Sequence, residues 1–360
     1  AVRALSAEIV VALTGTTLEN HLGELWSIFG IACPGLLGSW RHFRERFAVP
    51  VERYGDRRAL GDLAALTRPF LLRRTKAEVA PELPPRTEVV RWVQLSRAER
   101  VLYEAARVRS LEQLAADGGE EGRFAILAAI TRLRQLACHP RLVDPSAAAT
   151  SSKLRAAEEL VDDLVAEGQR ALVFSQFTSH LALLREALDR RSLSYLYLDG
   201  STPAEQRDRL VATWREGEAS LFLVSLKAGG TGLNLTGADY VVHLDPWWNP
   251  AVEDQATDRT HRIGQDRPVT VVRLIAEATI EQAVLDLHGR KRDLARGVLE
   301  GAEAAAALTT DELMTLIRSA GADQLEGAPE EEDLPVVDGD DGDGDDPREV
   351  PAAGGEARPD

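Results

Sequence analysis

Two arginines and a glutamine in the last third of this 360-residue sequence have the residue types and the spacing that chemistry on an anion requires. Gln255, Arg259 and Arg262 are separated by four and three residues, so a helix would place all three on one face. A guanidinium is planar, always charged and costly to bury without a partner, so two of them make a poor core surface. The pattern therefore predicts an anion-binding face, for which a polyphosphate is a suitable ligand.

The helix that would carry this face has start and stop signals. Asn249 has the residue type of an N-cap, and Pro250 has that of a first helical position. Glu253 and Asp254 suit the positive end of the helix dipole, and Gly264 is typical of a helix end. We therefore predict a single helix between Asn249 and Gly264.

A glycine-rich loop precedes this helix in the chain. Ser220–Ser225 predicts a buried strand, and Lys227–Asn234 follows it as Lys-Ala-Gly-Gly-Thr-Gly-Leu-Asn. A second predicted strand, Asp239–Asp245, then leads through Pro-Trp-Trp-Asn-Pro to the arginine helix. Three glycines of the loop lack side chains where backbone N–H groups could approach a phosphate closely. They are Gly229, Gly230 and Gly232.

Three long segments in this order and spacing resemble motifs V and VI of the SWI/SNF-type DNA-dependent ATPases, within helicase superfamily two. They read Leu-Val-Ser-Leu-Lys-Ala-Gly-Gly-Thr-Gly-Leu-Asn-Leu, then Asp-Pro-Trp-Trp-Asn-Pro, then Gln-Ala-Thr-Asp-Arg-Thr-His-Arg-Ile-Gly-Gln. Gln176-Phe177, after a predicted strand, is similar to motif IV of the family. Residues 132–140, on a predicted amphipathic helix from about Phe124, are similar to a further family segment. Cys138 and His139 within it are adjacent, which favours packing over metal binding.

Thr14-Gly15-Thr16, after the predicted buried strand Glu8–Leu13, resembles motif III of the family. The resemblance implies that these residues couple the nucleotide site of the first lobe to DNA. Thr17 stands where the family usually has proline, and a capped strand-to-helix turn is the alternative interpretation.

The resemblance also implies roles for the later motifs. In a motor with two lobes, the first lobe binds ATP and Mg²⁺, and the second supplies arginines to the charge that develops on the γ-phosphate. Arg259 and Arg262 would be those catalytic arginines, and Gln255 would help to sense the nucleotide. The residues expected to bind ATP are Gly229, Gly230, Gly232 and Asp258. Those expected to contact DNA are Ser175, Gln176, Lys227, Thr231, Asn234 and Trp248. Trp247 and Trp248 could equally form a packed loop.

Two elements that hold ATP and Mg²⁺ in such enzymes are absent from the sequence. No lysine follows a glycine, so there is no Gly-Lys-Ser/Thr loop, and Asp311-Glu312, the one Asp-Glu pair, opens a predicted helix. We therefore expect ATP and Mg²⁺ to be held mainly by a first lobe, and this chain alone to be inactive as an ATPase. One alternative is a non-catalytic DNA-binding or interaction module, and another is a first lobe supplied by a separate chain.

The pattern of elements predicts an α/β fold. From residue 151, five predicted strands alternate with helices, which indicates a parallel sheet. We predict the end of a first RecA-like lobe (1–32), a helical insertion (33–150) and a RecA-like helicase C-terminal lobe (151–300). A C-terminal helix (301–320) and a disordered acidic tail (321–360) would follow. The predicted strands are Ala171–Ser175, Tyr195–Leu198, Ser220–Ser225, Asp239–Asp245 and Val269–Ile275.

The composition limits partners and location. The formal net charge is −16, but Gly321–Asp360 alone holds 15 acidic and 2 basic residues, so the charge of the remainder neither supports nor excludes DNA binding. The two cysteines, Cys33 and Cys138, disfavour a disulfide framework or a cysteine metal site, and we expect no metal ligands. Arginine greatly exceeds lysine, which suggests a bacterial source. We expect a cytoplasmic, nucleoid-associated monomer that binds double-stranded DNA, with RNA polymerase or other DNA-bound proteins as further partners and no membrane.

Overall fold

The structure is a computed structural model, and it describes most of the first 321 residues of the chain. The described residues are 7–13, 22–54, 56–72, 74, 76–116, 121–148, 150–229, 233–262, 265–287 and 310–321. In the described part of the chain, no helix combines the length and the apolar character needed to cross a membrane.

A six-stranded sheet in the order β1-β6-β5-β2-β4-β3 forms the centre of the structure, and every neighbouring pair of strands is parallel. Its interior strands are almost continuously apolar because helices cover both faces. The α/β class and the five predicted strands are confirmed. The strands are β1 (Arg86–Val93), β2 (Ala171–Ser175), β3 (Leu196–Leu198), β4 (Leu221–Ser225), β5 (Tyr240–His243) and β6 (Val269–Ala276).

Strand β1 was missed by the sequence analysis, which placed its residues in a helical insertion. It pairs with β6 along its full length, from Arg86 opposite Val269 to Val93 opposite Ala276. Its sequence, Arg-Thr-Glu-Val-Val-Arg-Trp-Val, is rich in charge because it lies at an edge of the sheet with much of its surface exposed. Proline-rich sequence before it and helical patterns around it concealed the strand. The sheet of the second lobe therefore extends into the segment assigned to the insertion.

Helices precede, connect and follow the strands. Before β2 they are α1 (Leu22–Ala32), α2 (Trp40–Phe43), α3 (Val49–Tyr54), α4 (Arg57–Thr67), α5 (Lys76–Val79), α6 (Arg97–Ala116) and α7 (Glu121–Cys138). A π-helical turn (Arg44–Ala48) and two 3₁₀ turns (Arg68–Phe70, Pro140–Leu142) also occur there. From Ser152 onwards the helices are α8 (Ser152–Ala166), α9 (Thr178–Arg190), α10 (Ala204–Glu216), α11 (Leu226–Gly229), α12 (Pro250–Thr257) and α13 (Thr310–Ser319), and residues 280–287 are helical as well.

The long helices α6 and α7 are fixed to the sheet rather than free of it. They share one apolar core with α13 and with Ala276 and Ile280, which lie at and beyond the end of β6. Tyr103 of α6 accepts a hydrogen bond from the Ile280 backbone N–H at 2.7 Å. Arg100 donates to the Glu277 carbonyl at 2.7 Å. Helices α1, α3 and α4 pack on one another around a separate core that includes Phe43 and Phe47.

The predicted strand Glu8–Leu13 is wrong, because the structure has no strand there. Ile9, Val11 and Leu13 are 82%, 73% and 92% exposed. A buried parallel strand needs neighbours that hydrogen-bond with it, and none of the described strands pairs with this segment. The motif III residues Thr14–Thr16 and the tail from residue 322 lie outside the described residues, so their assignments stay predictions.

A fully buried ion pair joins α8 to the segment that follows β6. The ammonium of Lys153 donates to Oε2 of Glu281, and both side chains are 0% exposed. Glu281 Oε2 also accepts from the Ala276 backbone N–H at 2.9 Å, and Oε1 accepts from the Cys138 thiol at 3.5 Å. One carboxylate therefore connects α7, α8 and the end of β6.

Removing the cation of this pair should be costly. We expect Lys153→Met to lower the free energy of unfolding by about 3–5 kcal/mol, because the Glu281 carboxylate would stay buried without its cation. Urea-induced unfolding followed by circular dichroism measures the change. The control is Arg209→Met, which removes an exposed ion pair with Glu205 and should cost less than about 0.5 kcal/mol. Equal losses in both variants would contradict the interpretation.

Candidate functional site

The arginine segment does not form the single helix that the sequence predicts. Helix α12 begins at Pro250 as expected but ends at Thr257. Beyond it, Arg259 N–H donates to the Ala256 carbonyl at 3.1 Å, and Arg262 N–H donates to the Thr260 carbonyl at 3.0 Å. These are turn hydrogen bonds, so the prediction that Gln255, Arg259 and Arg262 share a face of one helix is wrong.

Tertiary contacts explain why the helix stops. The carbonyl of Arg259 accepts a hydrogen bond from the Leu235 N–H at 3.1 Å, which ties it to the loop that follows α11. The buried hydroxyl of Thr257 lies 3.2 Å from Nε2 of His243 on β5. These bonds outside the helix compensate for the helical hydrogen bonds that the segment loses. Gly264 lies outside the described residues.

The two arginines nevertheless lie near each other and are partly buried. Burial lowers the pKa of Arg259, and the positive charge of Arg262 lowers it further, while Asp258 opposes both effects. Nε of Arg262 donates to the Asp258 carbonyl at 2.9 Å, which fixes its side chain. Each guanidinium disfavours the charge of the other, and the Asp258 carboxylate offsets part of this repulsion. Gln255 is half-buried on the last turn of α12.

Arg86 of the missed strand β1 lies against α12. Its guanidinium is 3.2 Å from Oδ1 of Asp254 and 3.9 Å from Oδ1 of Asp258. Asp258, which the resemblance assigns to ATP, thus has a cationic neighbour within the protein. Arg86 is a residue near the site that sequence reasoning missed, because its position depends on a strand that the sequence did not reveal.

A buried carboxylate, Glu253, organises the tryptophan loop before α12. It accepts from the Trp247 N–H at 2.7 Å and from Nε of Arg273 on β6 at 2.9 Å. Arg273 also donates to Glu88 of β1 at 2.8 Å. The sequence assigned Glu253 only to the helix dipole, whereas the structure makes it a link between the loop and two strands.

The turn after β2, similar to motif IV, is held by a second buried carboxylate. Ser175 donates its hydroxyl proton to Oδ1 of Asp245, and the Gln176 N–H donates to Oδ2 at 3.3 Å. The Phe177 N–H donates to Ser175 Oγ at 3.1 Å. Ser175 is 1% exposed, so its hydroxyl makes its hydrogen bonds inside the protein. Gln176 is half-buried. Contact of either residue with DNA stays a prediction.

Arg134 of α7, which the sequence analysis did not select, is buried between this turn and the tryptophan loop. It donates to Oε1 of Gln176 at 2.9 Å and to the Pro246 carbonyl, and it lies 3.9 Å from Oδ2 of Asp245. The signal that could have revealed it is its place in the family segment 132–140.

The remaining residues predicted to contact DNA or ATP divide into two groups. Lys227 and Asn234 are exposed beyond the carboxyl end of β4, and Trp248 is half-buried beyond that of β5. Gly229 is the last residue of α11. Gly230, Thr231 and Gly232 lie outside the described residues. The carboxyl edge of the sheet therefore carries Gln176 and Lys227. The arginine segment has its contacts elsewhere, since Nε2 of His261 lies 2.8 Å from the Pro84 carbonyl, just before β1 begins.

A compact polar group lies beneath this edge. Potential ligand atoms of Cys138, His180 and Asp245 are within 4.8 Å of one another. Burial raises the pKa of Asp245 to about 6, and it lowers that of His180 to about 3. Lys153 adds a positive charge that acts on all three residues, which disfavours a divalent cation there.

His180 should make the protein sensitive to acid. Both its ring nitrogens lack hydrogen-bond partners in the described part of the chain, and its folded-state pKa of about 3 lies below the ordinary 6.5. The unfolded chain therefore binds the proton more strongly, so stability is lost as the pH falls below about 6.5. We expect His180→Leu to reduce the loss of unfolding free energy between pH 7 and pH 5 by about 2 kcal/mol.

Urea unfolding at the two pH values measures this difference. His42→Leu, at an exposed position on α2, is the matched control and should retain the acid sensitivity of the wild type. The same sensitivity in His180→Leu would show that the buried imidazole is not its source.

Comparison with known proteins identifies two domains. Residues 1–142 match the SNF2-related domain, and residues 152–264 match the helicase conserved C-terminal domain. The chain is 38% identical over 324 residues to YwqA of Bacillus subtilis, named as a candidate ATP-dependent helicase/translocase, with 88% of this chain and 35% of YwqA covered. It is 34% identical over 287 residues to the human SWI/SNF-related matrix-associated actin-dependent regulator of chromatin subfamily A member 1, with 76% and 27% covered. The chain thus spans about a third of the length of these relatives.

A solved structure shows the same architecture. The SWI2/SNF2 ATPase core of Sulfolobus solfataricus, in complex with double-stranded DNA, matches with a TM-score of 0.55 and 31% identity over 84% of this chain and 65% of that chain. The helicase-type α/β fold is therefore confirmed, and the motif resemblance is confirmed with it. The chain belongs to the SNF2-related family of SWI/SNF-type ATPases within helicase superfamily two, whose C-terminal helicase domain it contains.

Proposed function

We propose that this chain forms the second lobe of an ATP-dependent motor that moves along double-stranded DNA. Its role is to bring Arg259 and Arg262 to the phosphate charge that develops between two lobes. The observation that carries the proposal is this pair of neighbouring, partly buried guanidiniums. Two neighbouring guanidiniums can together donate several hydrogen bonds to one anion, and a polyphosphate is an anion of the right type.

The donors present fit one part of an ATP site. The two guanidiniums can donate to phosphate oxygens, but the sequence has no Gly-Lys-Ser/Thr loop to surround the β- and γ-phosphates. The proposal therefore assigns that loop, together with Mg²⁺, to a first lobe that faces this one. ATP supplies the phosphoryl group that is hydrolysed, whereas the arginine pair orients it and stabilises its developing charge.

The tie between Arg259 and the Leu235 N–H supports this role. A guanidinium that stabilises a transition state must be held in place before the reaction, since a freely rotating side chain would lose entropy each time. The hydrogen bond from Leu235 and the turn at Ala256 restrain the backbone on both sides of Arg259. The backbone carbonyl of Asp258 accepts a hydrogen bond from Nε of Arg262 and so restrains the second guanidinium. The carboxylate of Asp258 lies 3.9 Å from Arg86.

The proposed DNA surface lies at the carboxyl edge of the sheet. Exposed Lys227 and Asn234 follow β4, and half-buried Gln176 follows the neighbouring strand β2. The Lys227 ammonium and the Asn234 amide can donate hydrogen bonds to phosphates without reading bases, which suits a motor that passes over any sequence. The solved relative in complex with double-stranded DNA supports the choice of substrate.

The exposed apolar segment at residues 9–13 supports a facing first lobe. Ile9, Val11 and Leu13 are largely accessible in this chain, although their sequence has the character of a buried strand. A cluster of this kind marks an interaction surface. We propose that it packs against the ATP-binding lobe.

We further propose a monomeric motor in the bacterial cytoplasm, associated with the nucleoid. RNA polymerase and other DNA-bound proteins are the partners that movement along DNA would displace or remodel.

A second candidate function is a non-catalytic module that binds DNA or a protein. The absence of a Gly-Lys sequence anywhere in the chain favours it. The two functions differ in whether ATP turnover depends on this chain, and two experiments separate them.

We expect Arg259→Ala or Arg262→Ala, introduced in a full-length protein that also carries the first lobe, to lower DNA-stimulated ATP turnover about a thousandfold. Phosphate release in the presence of duplex DNA measures it. Arg267→Ala, which removes an exposed arginine paired with Asp239, is the control and should leave turnover within about twofold of wild type. Near-normal turnover in either site variant would remove that arginine from the mechanism.

The 360-residue chain by itself should release no phosphate from ATP, with or without duplex DNA. Adding a separately purified first lobe from a relative should restore DNA-stimulated turnover, because the arginines act across the cleft between lobes. The same mixture made with Arg259→Ala is the control. Turnover by the chain alone would reveal a nucleotide site of another kind, and an inactive mixture would favour the non-catalytic module.

A further inference from the structure

Arg134 is a buried cation that none of the motif assignments uses. It lies on α7, whose apolar side chains Ile130 and Leu133 are fully buried, and it is itself only 2% exposed. Arg132, two residues earlier on the same helix, is exposed. A long charged side chain is rarely placed in a core unless its partners are specific, so the contacts of Arg134 indicate its role.

The guanidinium of Arg134 bridges two loops that come from different strands. Nη1 donates to the side-chain oxygen of Gln176 at 2.9 Å, in the turn after β2. Nη2 donates to the carbonyl of Pro246, in the tryptophan loop after β5. The planar fork of a guanidinium can direct two N–H groups to two loops at once, whereas a lysine ammonium is a compact charge on a flexible stem.

Aromatic rings from the same two loops surround this guanidinium. Its carbon lies 5.7 Å from the ring centre of Phe177, 5.4 Å from Trp247 and 5.1 Å from Trp248. Rings at these distances attract a cation, and the attraction is stronger where water is excluded. Both loops are therefore packed against one side chain that α7 provides.

One carboxylate compensates this charge and also belongs to the site. Asp245 ends the segment after β5, lies 3.9 Å from Nη2 of Arg134, and holds the Gln176 N–H. Both side chains are almost completely buried, at 2% and 0% exposed. Removing the arginine would leave Asp245 without its nearest cation and would free Gln176 to change its side-chain orientation.

We propose that Arg134 is a positioning residue, which holds the turn after β2, at Gln176, and the tryptophan loop, at Trp248, in the arrangement that contacts a nucleic-acid backbone. The nucleic-acid part rests on the proposed function, whereas the coupling of the two loops stands on the contacts alone. Through Arg134, the α6–α7 pair determines the shape of a binding edge that it does not itself form.

The first test concerns the loops without any ligand. The variants are Arg134→Lys and Arg134→Gln in the 360-residue chain, with Arg132→Gln as the matched control on the same helix. Amide hydrogen exchange is measured at Gln176, Phe177 and Trp247, whose N–H groups all donate to side chains in this structure. We expect exchange at these amides about tenfold faster in both Arg134 variants, with β6 unchanged.

Two results would overturn the coupling. Exchange at the three amides could equal that of Arg132→Gln, which would mean that Arg134 does not hold the loops. Alternatively, exchange could accelerate equally in the loops and in β6, which would mean that the substitution merely destabilises the whole domain. The lysine variant keeps the positive charge, so a protein that unfolds with glutamine still leaves one decisive comparison.

The second test measures binding of a fluorescent duplex oligonucleotide by the same variants. We expect Arg134→Lys to bind about tenfold more weakly than the wild type, because its binding loops are no longer held in place, whereas Arg132→Gln stays within about threefold. Wild-type affinity in a variant with faster loop exchange would overturn the role of Arg134 in nucleic-acid binding. Failure of the wild-type chain to bind duplex DNA would instead contradict the proposed function, and the exchange result would still decide the coupling.

Discussion

The carboxyl edge of the sheet depends on carboxylates that are buried and must each have a cation. Asp245 is paired with Arg134, Glu253 with Arg273, and Glu281 with Lys153. A carboxylate in an apolar interior is costly unless its charge is compensated and its lone pairs accept hydrogen bonds. Each of the three is therefore paired with a cation from an element remote in sequence. Each also accepts a hydrogen bond from a backbone N–H of the segment that it restrains.

These ion pairs explain how loops at the carboxyl edge of a parallel sheet can be held in one conformation. The edge where parallel strands end is where ligands bind, but loops there have few apolar contacts of their own. Asp245 restrains the turn after β2, and Glu253 restrains the tryptophan loop. The pairs contribute little net stability compared with apolar packing of the same volume. Their effect is to leave each loop with one favourable arrangement, because any other arrangement would separate a buried charge from its partner.

The parts of the fold that the sequence predicts are those with local signals. Strands β2, β4 and β5 are apolar runs followed by loop residues, and Pro250 marks the start of α12, so periodicity and capping were sufficient. Strand β1 was not predictable in this way. An exposed edge strand carries charges, and its pairing with β6 depends on tertiary structure that the local sequence does not show. The buried partners Arg134 and Arg273 were missed for the same reason.

The end of α12 shows most directly what local signals leave out. Thr257, Asp258 and Arg259 have no helix-breaking residue among them, so propensity alone continues the helix towards Gly264. In the structure the helix ends at Thr257, and the Arg259 carbonyl accepts a hydrogen bond from the Leu235 N–H. Leu235 follows directly on Asn234, an exposed residue of the loop after α11. This tertiary hydrogen bond therefore links the backbone of that loop to the backbone of an arginine. A continuous helix would have kept its own hydrogen bonds and left the two segments mechanically independent.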